Sequence, residues 1–310
     1  MERFAGVMPP IPTPFNDDYS LNADALRSLV EFLVVEGVHA IIPLGSTGEF
    51  ARQSIEERKR VLEVCLDQAR GRIPVIAGTA APGTREVIEL SQHAERAGAR
   101  GLQVVAPFYG KPSEDELFEH YRRVADSVGI PILIYNNPGT SGIDMSPPFL
   151  ARLSEIPNIT GVKEATGDPK RVRQILKLAP DGFDVYAGTD DYFFESFLFG
   201  AKGWVSGSAN LIPRRCVDLY ELAVVKEDFK AAKAAYADIA ELCDMMETEA
   251  FVQNIKAGLE ILGLEAGPPR PPFLPAGPEV RDQIKTLLDN LGARPIPSVM
   301  SRAAPVAPTS

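Results

Sequence analysis

At 310 residues, 45% of them hydrophobic, the chain is long enough to bury a large core, and sequences of this size often form one α/β barrel rather than two domains. A formal net charge of −10 with no basic run argues against a nucleic-acid or anionic-membrane partner, and no apolar stretch approaches the ~20 residues of a bilayer-spanning helix. The proline-punctuated start, Met1–Pro14, lacks a secretory signature, while Cys65, Cys216 and Cys243 are scattered and odd in number, which predicts reduced structural thiols in a cytoplasmic protein.

Along the chain, short apolar or β-branched runs alternate with amphipathic stretches. Strands are expected at Gly6–Pro10, Ala40–Pro43, Pro74–Ala77, Gly101–Ala106, Ile132–Tyr135, Ile159–Lys163, Asp184–Ala187 and Gly203–Val205. The spacing of Leu26, Leu29, Val30, Leu33 and Val34 predicts a helix over Asp24–Glu36, and that of Val61, Leu62, Cys65 and Leu66 one over Ile55–Ala69. Asn22 is placed to cap the first. Ser54-x-x-Glu57 and Ser113-x-x-Glu116 read as capping boxes. Gly37, Gly71, Gly98 and Gly129 fall at helix ends, where a left-handed residue is wanted.

Eight strand-then-helix units match a (β/α)8 TIM barrel over residues 1–225. A doubly wound sheet fits less well, because Gly45-Ser46-Thr47-Gly48-Glu49, the one Gly-rich turn after an early strand, is not G-x-G-x-x-G. Beyond Val225 the strands stop. Lys226–Met246, Glu249–Leu262 and Glu279–Leu291 predict a C-terminal helical extension over 226–294, with the proline-rich Gly267–Phe273 as an extended connector. The Pro/Ala/Ser-rich 295–310 reads as a disordered tail.

Barrel chemistry belongs at the C-terminal strand ends, and the residues there are unusual. Lys163 ends the apolar run Ile159–Lys163. A buried ammonium is costly, so burial favours a neutral amine able to attack a carbonyl. The bland alternative is a lysine that snorkels to solvent or pairs with Glu164. Around it on the same rim fall the hydroxyls of Ser46 and Thr47, Tyr109, Tyr135, and the Gly188-Thr189-Asp190-Asp191 turn. Each has an ordinary reading, as a tight turn or a packed tyrosine. Together they make a carbinolamine and Schiff-base apparatus. Isolated His39, His93 and His120 give no support to a metal site, and no cofactor is implied.

The ordered motifs Gly45-Ser46-Thr47-Gly48-Glu49, Pro107-Phe108-Tyr109-x-Lys111-Pro112, Tyr135-Asn136-x-Pro138-x-x-Ser141-Gly142, Gly161-Val162-Lys163-Glu164-Ala165-Thr166 and Gly188-Thr189-Asp190-Asp191 resemble the dihydrodipicolinate synthase / N-acetylneuraminate lyase family of class I pyruvate-dependent aldolases, from residue 4 to 292. The resemblance implies a barrel with a helical extension and a homo-oligomer, dimer or tetramer. It implies Lys163 as the imine-forming residue, Tyr135 as proton shuttle, and Ser46 and Tyr109 in a proton relay, Tyr109 reaching a neighbouring subunit's site. Thr47 would grip the substrate carboxylate, and the Val205 carbonyl would face the pyruvate-derived moiety.

Two departures bear on substrate. The synthases resembled here carry a carboxylate-binding arginine where this chain has Thr140, and no Lys or Arg lies between Ile132 and Ala151. A charge-assisted contact of that kind is worth roughly 1.5–3 kcal/mol per bond. Sialic-acid lyases place sugar-binding acids in the Gly188-Thr189-Asp190-Asp191 motif, which matches, but a hydroxyl residue at the position of Ala165, which does not. The expectation is an aldolase or dehydratase of a hydroxylated 2-oxo acid, such as a 2-keto-3-deoxy sugar acid. The alternative is the synthase that condenses pyruvate with aspartate semialdehyde. A non-catalytic pyruvate sensor is disfavoured by the presence of both Lys163 and Tyr135. A phosphate-binding barrel would have only Ser206-Gly207-Ser208-Ala209-Asn210 to offer.

Overall fold

The computed structural model describes residues 1–293, so the tail expected at 295–310 lies outside them. Seven parallel strands form one curled sheet: β1 (Gly6–Val7), β2 (Ile76–Gly78), β3 (Gly101–Val105), β4 (Ile132–Asn136), β5 (Ile159–Glu164), β6 (Asp184–Ala187) and β7 (Gly203–Trp204). Their order is β1-β7-β6-β5-β4-β3-β2. From β2 to β7 each strand lies beside the next, joined by the helical crossover that parallel pairing requires.

The eighth expected strand, Ala40–Pro43, is instead a pair of isolated parallel bridges, Pro10 to Ile42 on one side and Ile41 to Val75 on the other. Ile42 N–H donates to Pro9 O, and Ile76 N–H to Ile41 O, both at 2.9 Å. This segment therefore touches both edges of the sheet. Regular ladders fail here because Pro9, Pro10, Pro43 and Pro74 each lack the amide hydrogen a ladder needs.

Helix boundaries follow the local chemistry. Asn22 caps Ala23–Glu36 by accepting from Ala25 N–H, and both capping boxes form, at Ser54/Glu57 and Ser113/Glu116. Gly37 and Gly98 are left-handed caps. Gly71 is left-handed too, but the cap of its helix is Arg70. Gly129 is not left-handed: the helix Glu114–Asp126 ends at Ser127 in a right-handed conformation. After Trp204 no strand occurs among the described residues. Helices at Phe229–Met246, Phe251–Ile261 and Pro278–Asn290 follow, the first starting at Phe229 rather than Lys226 because Asp228 accepts from Ala231 N–H. The proline-rich connector Gly267–Phe273 is free of helix and strand.

Strand alternation decides what faces inward. Met8, Ala40, Ile42, Ile76, Leu133, Tyr186 and Val205 form a buried cluster with Phe4, separate from the larger core that includes the helix faces. Two residues beyond Met8, Leu133, Gly161 and Tyr186, the same inner face presents Pro10, Tyr135, Lys163 and Gly188. These are walls of one cavity.

Candidate active site

The cavity, about 120 Å³, is lined by Pro10, Ser46, Thr47, Gln103, Tyr135, Asn137, Lys163 and Ala165, and on its far side by Gly188, Asp190, Val205, Gly207, Met246, Glu247 and Phe251. A larger depression of about 770 Å³, bordered by Asp17, Asp18, Glu260 and Glu265, is wide open and includes neither Lys163 nor Tyr135.

Lys163 is 5% exposed, so it does not snorkel to solvent. It does not pair with Glu164 either, because consecutive strand residues point to opposite faces. Glu164 accepts from Asn136 Nδ2 at 3.0 Å and from Thr166 N–H at 3.0 Å, with Arg171 Nε 3.6 Å away. Burial holds the Glu164 carboxyl above the usual range, against those bonds. Pairing of β4 with β5 sets Tyr135 beside Lys163, whose Nζ stands 4.0 Å from the ring centroid. The Tyr135 hydroxyl accepts from Asn137 Nδ2 at 2.7 Å, which leaves its own proton for another partner.

Ser46 and Thr47 reach the cavity from the Gly45–Glu49 turn, which the C-terminal helices clamp. Glu49, left-handed at φ 57°, pairs through Oε1 with Lys256 Nζ at 3.0 Å, and Arg270 N–H donates to its Oε2 at 2.8 Å. Both members of the ion pair are buried, and burial pushes the Lys256 ammonium below its ordinary value. Lys256 also donates to Pro268 O at 3.0 Å, so the charge has a hydrogen bond as well as a counter-ion. Gly48 is required sterically: a Cβ there would meet Leu44 N at 2.9 Å. Gly188 is required likewise, since its Cβ would lie 2.5 Å from Glu164 O.

Asp190 corrects an expectation. It borders the cavity, but its carboxylate is buried and already bonded, accepting from Trp204 Nε1 at 2.9 Å and from both Ser208 N–H and Ser208 Oγ at 2.6 Å. It is a structural anchor rather than a free acceptor for sugar hydroxyls. Burial first of all holds its carboxyl above the usual range, and the hydrogen bonds from Ser208, Ser206 and Trp204 oppose that. The same bonds take the Ser208 amide and hydroxyl away from any phosphate at the Ser206–Asn210 turn. Asp191 is half-buried and does not line the cavity.

Thr140 is exposed and outside the lining. Its amide and hydroxyl bond back to Asn137, because Pro138–Ser141 forms one short helical turn that carries it away. Tyr109 is fully exposed, at φ 81°, and is not part of the cavity lining. Val205 and Gly188 both line the cavity, with Val205 N–H bonded to Ala187 O at 2.9 Å.

Gln103 and Glu247 are polar lining residues that lie outside the motifs. Gln103, on β3, is 3% exposed, and its Oε1 has no hydrogen-bond partner among the described residues. Only its inward parity on a strand could have flagged it. Glu247 follows the helix Phe229–Met246. The residue as a whole is exposed, yet its Oε2 accepts Asp190 N–H at 2.7 Å. Burial of the carboxyl, then the nearby Asp190, pushes it up to about 7, with Asp191 adding and Lys163 opposing. Nothing in the sequence ties position 247 to the strand ends.

The model of the Dihydrodipicolinate synthetase family matches residues 3–291. A 4-hydroxy-tetrahydrodipicolinate synthase of Methanothrix thermoacetophila is 40% identical over 289 residues, 93% of this chain and 97% of that protein. The crystal structure of dihydrodipicolinate synthase from Aquifex aeolicus superposes with a TM-score of 0.90 at 33% identity, covering 94% of this chain and 99% of that one. YagE of E. coli K12, a prophage protein of the same family solved in complex with pyruvate, also gives 0.90 at 33% identity, over 94% of this chain and 100% of that one. The chain thus belongs to the dihydrodipicolinate synthetase family, a family of lysine Schiff-base lyases that act on pyruvate.

Proposed function

We propose that Lys163 forms the imine and that the protein is an aldolase or dehydratase of a hydroxylated 2-oxo acid, such as a 2-keto-3-deoxy sugar acid. The observation that carries it is the buried Lys163 amine beside Tyr135 in a cavity with hydroxyl-bearing walls. The amine attacks the C2 carbonyl, and Tyr135 gives its proton to the departing hydroxyl as the carbinolamine loses water. The protonated imine then accepts the electron pair of the C3–C4 bond as that bond breaks, the Tyr135 phenolate takes the C4 hydroxyl proton, and an aldehyde is released. The enamine left behind takes a proton at C3 and hydrolysis frees pyruvate. Ser46 and Thr47 offer hydroxyls for the proton relay and the substrate carboxylate. Borohydride reduction in the presence of pyruvate tests this: an irreversible adduct on Lys163 is expected, and an adduct elsewhere, or none, overturns it.

Substrate choice rests on charge. Lys163 is the only Lys or Arg among the described residues lining the cavity and is committed to the imine, and Thr140 stands outside it. A second substrate carboxylate would therefore meet no positive partner within one chain, and would face Glu247. The names of the relatives favour a second reading, condensation of pyruvate with aspartate semialdehyde as in a 4-hydroxy-tetrahydrodipicolinate synthase.

The remaining parts of the reading concern assembly. The segment 39–43 serves as the eighth stave closing a (β/α)8 barrel, supported by its bridges to both sheet edges. Barrel and C-terminal helices act as one catalytic unit, because Lys256 and Glu247 both reach the strand ends. Exposed Tyr109 fits a homo-oligomer in which it completes a second copy's site. No helix among the described residues is long and apolar enough to cross a membrane. A cytoplasmic location accords with three free, buried cysteines.

A further inference from the structure

We propose that Glu247 and Gln103 are specificity-determining residues of this site, forming the end of the cavity that takes hydroxyl groups of the substrate beyond its imine carbon. The inference rests on the Schiff-base reading above and adds to it the residues that select the second part of the substrate.

Three observations support it. First, both residues line the cavity that contains Lys163. Second, each brings a hydrogen-bond acceptor to the cavity wall. Gln103 Oε1 is buried without a hydrogen-bond partner among the described residues, a condition that costs free energy unless a ligand relieves it. In Glu247, Oε2 is held by the Asp190 amide, and that single bond fixes the carboxylate toward the strand ends. Hydroxyl groups can donate to both acceptors, whereas a second carboxylate brings only more acceptors and a like charge.

Third, Glu247 sits where a carboxylate is unfavourable for the fold. It caps the C-terminal end of the helix Phe229–Met246, where the helix dipole disfavours negative charge. It also faces Asp190 and Asp191 from the loop after β6, with Lys163 of β5 as the opposing cation. Any neutral residue would be easier to accommodate, and a local rule broken at the wall of a reactive cavity marks a functional demand.

The test uses the purified full chain, with Glu247→Gln and Gln103→Leu as variants and thermal melting as a check on folding. Kinetics are measured for cleavage of a 2-keto-3-deoxy sugar acid and for condensation of pyruvate with aspartate semialdehyde. Each variant should raise KM for the sugar acid by about tenfold or more, the worth of one good hydrogen bond, with a smaller change in kcat. The ratio of kcat/KM should move toward the semialdehyde. If both variants fold and keep the wild-type ratio within about twofold while the wild type traps pyruvate on Lys163, this inference alone is overturned. If the wild type traps no pyruvate on Lys163, the Schiff-base reading itself falls, and the inference with it.

Discussion

Tyr135 and Lys163 stand opposite each other on the adjacent parallel strands β4 and β5, with the lysine nitrogen 4.0 Å from the centre of the tyrosine ring. Both side chains point inward because strand parity gives them the same face as Leu133 and Gly161 two residues earlier. The amine thus lies against the ring face, the negative pole of its quadrupole, and the phenol oxygen is steadied by Asn137. Sheet register alone has set a primary amine beside a phenol.

Replacing Lys163 with arginine keeps a long cation but removes the nucleophile. Turnover should fall to background, and mass spectrometry after pyruvate and borohydride should show no adduct. A variant that still accumulates the adduct would place the imine on another lysine.

Tyr135→Phe preserves ring packing and removes only the hydroxyl. A loss of roughly 10²–10⁴-fold in kcat is expected for a positioned acid/base, with a melting temperature close to wild type. A rate within a few-fold of wild type would make Tyr135 a packing residue.

Asp190→Ala should be a stability variant before it is a catalytic one. It strips the partner from Trp204 Nε1 and from the Ser208 amide and hydroxyl, at a cost of about 3 kcal/mol by chemical denaturation. Normal stability with a selective loss of sugar-acid binding would restore the ligand-binding role instead.

Thr140→Ala removes a hydroxyl whose one bond is 3.4 Å from Asn137 O on an exposed turn. The change in stability should stay within about 0.5 kcal/mol, and kcat/KM for the sugar acid should barely move. A tenfold loss would bring Thr140 into the site.

His120 supplies a pH dependence. Burial pushes its imidazole down to about 4 from an ordinary 6.5, while one ring nitrogen contacts Thr84 Oγ1 at 2.9 Å. Between those values the unfolded chain binds a proton that the folded ring refuses. Its stabilising contribution is therefore full above pH 6.5 and declines as pH falls toward 4, by up to about 1.4 kcal/mol per pH unit. Urea unfolding at pH 7 and pH 5 should show a shallower loss in His120→Gln than in wild type. Equal slopes in the two proteins would rule this out.

What the sequence determined by itself was local: alternating strand and helix, the caps at Asn22, Ser54 and Ser113, and five motifs that put Lys163, Tyr135, Ser46 and Thr47 on one rim. The elements and caps follow from periodicity and from hydrogen bonds spanning three or four residues, and the motifs from a resemblance to a family. Tertiary structure decided the rest. Asp190 borders the cavity as its motif suggests, but its carboxylate is claimed by Trp204 and Ser208, 14 and 18 positions away, and Thr140 turns outward on Pro138–Ser141. Gln103 and Glu247 join the site without any motif, and Lys256 holds Glu49 across the fold. Pairings over such separations depend on how the sheet curls and where the C-terminal helices dock, and no local pattern of residues encodes that placement.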